Sequence, residues 1–136
     1  MQNPPPSQPG KSSTGLEENV AALLSYIFGW LSGLIFFLME KDSKLVRFHA
    51  MQSILLNALV IVASIALYIV MMVLFLILSQ VSGALSAIVG LLSVVVWLVF
   101  SAAVLVAWVM CLIKAYNFQF YKLPVIGDFA EKFSAK

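Results

Sequence analysis

VAALLSYIFGWLSGLIFFLM, residues 20–39, is the stretch on which the fold turns. At about 1.5 Å of rise per residue, a helix over it is about 30 Å long, the thickness of a bilayer's hydrocarbon core. Its reading is therefore one full transmembrane span. The next apolar run, residues 48–78, would be about 46 Å long as one helix, more than a span needs. The stretch before and into it, KLVRFHAMQS (residues 44–53), is expected to be its start, in the headgroup region. The polar break SQVSGALS, residues 79–86, ends that helix, and a third span is expected over residues 88–113, closed by Lys114.

Composition points the same way. The chain has 136 residues, 62% of them hydrophobic and only 10% charged, whereas soluble globular domains are about a quarter charged. All eight Lys and Arg lie outside residues 48–113, a distribution that informs about topology rather than nucleic-acid binding. The single cysteine, Cys111, can form no intrachain disulfide and reads as a small packing residue. The expected fold is all-α: an integral membrane bundle of three transmembrane helices with a short C-terminal interfacial helix. Residues 1–18, rich in Pro, Ser and Gly, are expected to be a disordered tail and residues 19–136 the membrane domain.

Orientation follows from basic residues in short loops. Lys41, Lys44 and Arg47 flank the first loop, and Lys114, Lys122, Lys132 and Lys136 follow the third span. Both regions are expected to be cytoplasmic, in the cell's inner membrane, and three spans then place the N-terminal tail outside. Past the third span, Tyr116, Phe118, Phe120 and Tyr121 suit an aromatic belt, and Pro124 breaks the helix. Asp128 with Glu131 reads as a capping box for a brief amphipathic helix that carries Phe129 and Phe133 on one face.

Ser25, Gly29 and Gly33 recur every four residues in the first span, a small-residue stripe expected to pack against another helix. A comparable stripe, Ala103, Ala107, Cys111 and Ala115, offers a face for it. In the second span His49, Gln52, Ser53, Asn57, Ser64 and Tyr68 fall within an arc of about 160°, a polar stripe expected to face protein or water rather than lipid. Arg47 is expected to snorkel to anionic headgroups. No HExxH, GxSxG or Walker A pattern occurs, the spans contain no Asp, Glu, Lys or Arg, and no second His or Cys is spaced to join His49 or Cys111 at a metal. No catalytic residue, cofactor or metal is expected.

Two blocks, NVAALLSYIFGWLSGLIFFLMEKDSKLVRFHAMQSILL and KAYNFQFYKLPVIGDFAEKF, resemble a widespread family of small prokaryotic membrane proteins, which is similar in turn to the Tic-twenty component of the chloroplast protein-import machinery. The most specific parts are VRFHAMQS and KLPVIGD. Where that family usually has Gly before the KLP box, this chain has Phe118. The resemblance implies a non-enzymatic membrane scaffold or protein-translocation-related subunit. Its partner or lipid-headgroup face would be cytoplasmic, made by Arg47, His49, Gln52, Ser53, Lys122, Pro124, Gly127 and Asp128. The alternative is a subunit of a homo-oligomeric small channel or carrier built along the polar stripe. Partners under either reading are membrane lipids and a membrane protein or further copies of the chain, with no nucleic acid.

Overall fold

A computed structural model describes residues 10–135. Among them the chain is all-helical: α1 (Glu18–Ile27), α2 (Trp30–Met39), α3 (Lys44–Ser79), α4 (Gly83–Tyr116) and α5 (Ile126–Ser134), with no strand beyond one isolated bridge between Lys11 and Glu17. Two helices, α3 and α4, are long and apolar enough to cross a membrane. The chain divides into two compact units, one made of the chain up to Ala58 together with the chain from Ala107 onward, the other of Leu59–Val106.

The expected first span is not one helix. The run at 20–39 breaks at Phe28 and Gly29, where Gly29 has φ 62° and ψ −135°, a conformation open to glycine and costly for any residue with a Cβ. The products, α1 and α2, have 10 residues each, about 15 Å, and pack against each other. Their outer ends are tied together: Ser13, upstream of α1, donates from both its N–H and its Oγ to the Glu40 carboxylate just beyond α2, at 2.7–3.0 Å. The 20–39 run is thus a helical hairpin rather than a rod. The N-terminal tail and the first loop, expected on opposite sides of the membrane, meet in this structure, where Ser13 Oγ also bonds Asp42 and accepts from the Lys41 N–H. Of the tail expected to be disordered, residues 1–9 lie outside the described residues, while residues 10–17 form this tied loop.

The small-residue stripe is divided by the break as well. Gly29 is the hinge, and only Gly33 meets a helix backbone: a Cβ there would lie 2.8 Å from the Ala50 carbonyl oxygen and 3.1 Å from Ser53 Cβ, so α2 lies directly on α3. Ser25 is buried and turns its hydroxyl back onto the Ala22 carbonyl. The partner face is therefore α3, and the expected stripe on the third span plays a different part: Ala103 is exposed, while Cys111 and Ala115 are buried. The α3 helix starts at Lys44, with Ser43 Oγ accepting the Val46 N–H as its cap. The second unit consists of the rest of α3, the turn at 80–82 and most of α4, and its side chains are exposed on nearly every face, as lipid-facing apolar residues are.

Overpacking at Gly33 gives the first prediction. Gly33→Leu forces α2 away from the Ala50 carbonyl and should lower stability by roughly 1–3 kcal/mol, whereas Leu34→Ala, on the exposed face of α2, should leave it nearly unchanged. Thermal unfolding in mild detergent distinguishes the two. Equal melting temperatures would mean that α2 does not lie on α3.

Candidate functional site

A helix broken in apolar surroundings leaves backbone N–H and C=O groups that water cannot serve. Here side chains meet four of them, the Phe28 N–H and the Ser25, Tyr26 and Gly29 carbonyls. The Phe28 N–H donates to Ser32 Oγ at 3.1 Å, and the Ser32 hydroxyl points at the Ser25 and Gly29 carbonyls at 3.0 and 3.2 Å. Ser53 Oγ on α3 donates to the Gly29 carbonyl at 3.0 Å, and the Trp108 indole N–H on α4 donates to the Tyr26 carbonyl at 2.9 Å. Two helices thus hold the hinge of a third.

The same face of α3 holds the chain after α4. His49 Nε2 lies 2.7 Å from the Gln119 carbonyl oxygen, which only accepts, so Nε2 carries the proton and donates. His49 Nδ1 is then the acceptor for the Tyr26 hydroxyl at 2.7 Å, and Tyr26 Oη in turn accepts from Gln52 Nε2 at 3.0 Å. Gln52 also donates to the Tyr121 carbonyl at 2.8 Å, with Cys111 Sγ at 3.7 Å, and its Oε1 accepts the Leu123 N–H at 3.1 Å. Tyr26, His49, Gln52 and Ser53 are all buried, and among the described residues no buried side-chain nitrogen or oxygen lacks a partner. Such a network is neutral and closed, specifying one arrangement of α1, α3, α4 and the 119–123 segment.

Arg47 does not reach outward as expected. Its guanidinium donates to the Phe37 and Glu40 carbonyls at the end of α2 (3.2 and 2.8 Å) and to the Ser134 carbonyl at the end of α5 (3.2 Å), and it lies 4.4 Å from the centre of the Phe37 ring. A cation at two helix C-termini satisfies their orphan carbonyls and complements both dipoles. Lysine could not reproduce this fork.

The KLPVIGD segment is a tight turn. A Cβ on Gly127 would meet Lys122 Cα at 2.5 Å, so the backbone approach there admits only glycine. Pro124 precedes Val125, which has φ 66° and stands where a cap would. The expected capping box is absent because Asp128 lies inside α5 and, with Glu131, pairs with Lys122 instead. Glu131 first, then Asp128, hold the Lys122 ammonium above its ordinary pKa. At Phe118 the chain adopts φ 61°, so the left-handed turn suited to glycine is kept by a phenylalanine. Of the expected site residues, His49, Gln52 and Ser53 converge in the buried network, Lys122, Pro124, Gly127 and Asp128 shape the turn it holds, and Arg47 stands apart at the helix ends. Tyr26, Ser32 and Trp108 were not among them. A tyrosine, an indole and a serine in apolar runs are themselves a signal, since each polar atom there needs a partner.

Fold and site together define a class: a helical membrane protein with two helices long and apolar enough to span, one broken apolar run and a buried polar core. The chain belongs to the Magnetosome magnetite crystal formation protein family, whose model matches residues 16–130. It is 39% identical over 128 residues to a UPF0132 membrane protein of Methanocaldococcus jannaschii, covering 92% of this chain and 96% of that one. It is also 40% identical over 117 residues to one of Archaeoglobus fulgidus, covering 86% and 95%. No solved structure matches. These findings correct the expected family, since the chain's similarity runs to this family and these archaeal proteins and not to the Tic-twenty import component.

Two predictions follow from the geometry. Gln52→Leu strands the Tyr121 carbonyl and the Leu123 N–H, at roughly 1–3 kcal/mol for each buried group left unpaired. It should therefore lower the melting temperature and expose residues 119–123 to protease, and unchanged cleavage would mean that this segment is held by something else. Glu40, although pushed up by burial, is brought below its ordinary value of 4.5 by hydrogen bonds from Ser43, Ser13 and Asp42. A depressed carboxylate stabilises the fold above its unfolded value and ceases to do so as pH falls through its folded value. Glu40→Gln should thus be less stable than wild type at pH 7, with the gap closing below about pH 4.5. A gap independent of pH would contradict the link.

Proposed function

We propose that this chain is a non-enzymatic membrane scaffold that presents a preorganised headgroup-side face to a partner in the cytoplasmic membrane. In this reading α3 and α4 cross the bilayer, while the α1–α2 hairpin enters the lipid and returns on the side it came from. The loop at 40–43, the tied residues 10–17 and the 117–135 segment then share the cytoplasmic side. The hairpin's exposed Phe28, Trp30, Leu31 and Leu38 support lipid contact, and the basic residues Lys41, Lys44, Lys114 and Lys122 support the cytoplasmic assignment. The three-span alternative would need the 20–39 run to be continuous.

The observation that carries the reading is the saturation of the buried polar network. Every polar group of His49, Gln52 and Ser53 is committed to a partner within the chain, so this stripe is suited to holding shape rather than passing a substrate. On the surface, by contrast, Phe129 and Phe133 stack on α5 with half-exposed rings beside Val125, which is 69% exposed. Those are features of a docking helix. A role in mineral formation, named in the family's description, would call on side chains that gather metal ions. Among the described residues no three His, Cys, Asp or Glu come together to hold one, so the reading rests on the membrane and its partners.

Photo-crosslinking amino acids separate this from the homo-oligomeric channel or carrier. Placed at Phe129 or Phe133 they should trap one defined protein species, and placed at Leu91 or Leu98, exposed in the second unit, they should give lipid adducts. Ladders of the chain with itself from Leu91 and Leu98, with nothing trapped from α5, would overturn the scaffold and favour the channel.

A further inference from the structure

Between the start of α3 and α5 lies a cavity of about 620 Å³, within the volume range of small-ligand sites. Its lining includes Lys41, Asp42, Lys44 and Arg47 from the start of α3 and the loop before it, Glu131 from α5, and the rings of Phe48 and Phe120. The two rings pack at 5.4 Å, and Phe48 is buried. The acids at this cavity are engaged elsewhere: Asp42 accepts from the Ser13 hydroxyl, and Glu131 pairs with Lys122. Lys41 and Lys44 are exposed, and among the described residues neither makes an ion pair. The Arg47 side chain is fixed in the wall by the Phe37, Glu40 and Ser134 carbonyls.

We infer that this cavity holds the phosphate headgroup of an anionic phospholipid, with Lys41 and Lys44 on the phosphate oxygens and the Phe120 ring, backed by buried Phe48, against the glycerol and first methylenes. Two lysines without acidic partners at the mouth call for an anion, and a compact ammonium suits a phosphate as a point charge. The N-terminal end of the 36-residue α3 helix, on which Lys44 stands, adds a positive dipole end in the same place. The aromatic wall favours an amphiphile over a free ion. The charge run before an apolar helix is also where a headgroup lies in a bilayer. The inference rests on the cytoplasmic, headgroup-side placement proposed above, and it adds the identity of a ligand.

The test uses the full chain, purified in mild detergent, reconstituted in nanodiscs of phosphatidylcholine with a minor fraction of phosphatidylglycerol, and re-extracted for native mass spectrometry of retained lipid. Wild type should keep phosphatidylglycerol in preference to phosphatidylcholine. Lys41→Gln with Lys44→Gln should lower that retention at least about tenfold. Lys11→Gln with Lys132→Gln removes the same charge outside the cavity and should leave retention unchanged. Equal retention in both double variants, or equal loss in both, overturns the site. Competition by inorganic phosphate at the same concentration as a short-chain phosphatidylglycerol would overturn the lipid in favour of a simple anion. Loss of the lipid site leaves the crosslinks from Phe129 and Phe133 unaffected, and loss of those crosslinks leaves the lipid retention unaffected, so the two readings fail separately.

Discussion

Everything in the first unit depends on one constraint: the backbone groups released where an apolar helix stops at Phe28 and Gly29 must find partners without water. In lipid each orphaned group costs several kcal/mol. Ser32, Ser53 and Trp108 supply those partners from three different helices. The hinge therefore exists only when α2, α3 and α4 are all in place, and the local conformation of Gly29 and the tertiary arrangement stabilise each other.

The face of α3 that serves the hinge serves a second client one turn away. Ser53 reaches the Gly29 carbonyl, while His49 and Gln52, at spacings of four and one from it, reach carbonyls at 119 and 121, the N–H at 123 and the hydroxyl of Tyr26. Helical periodicity explains the sharing, since residues three and four apart lie on one face. The tyrosine completes the circuit, because it belongs to the broken helix and bonds the residues that hold the C-terminal segment. Disturbing either client should be felt by the other through this ring. Arg47 performs a parallel task at the headgroup side, closing the ends of α2 and α5.

Much of this was legible in the chain. The helical class, the two long apolar helices, the start of α3 within KLVRFHAMQS and the inward turn of His49, Gln52 and Ser53 follow from hydropathy and a 3.6-residue period, whereas Tyr68, expected on the same stripe, is exposed. The hinge did not, because Gly29 and Gly33 in GWLSG satisfy a packing motif of continuous membrane helices just as well as a break, and 20 apolar residues match a bilayer by length. What decides between them is whether Ser32, Ser53 and Trp108 converge on one backbone, and that is a tertiary fact. Arg47 was misjudged for a related reason: an arginine near a membrane edge snorkels unless helix C-termini are closer than the headgroups, and their position depends on the hairpin. The Asp128 capping box failed because Lys122, folded back over Gly127, competes for the same carboxylate.

The central claim is that residues 20–39 form a hairpin held by α3 rather than a rod across the membrane. Spin labels at Leu16 and Lys41, in lipid nanodiscs and with Cys111 replaced by Ala, measure it by double electron–electron resonance. The hairpin, with Ser13 bonded to Glu40 and Asp42, requires the labels within about 25 Å at about 3.8 Å per intervening residue. A continuous helix would separate them by about 37 Å, and a distribution centred there would contradict the account.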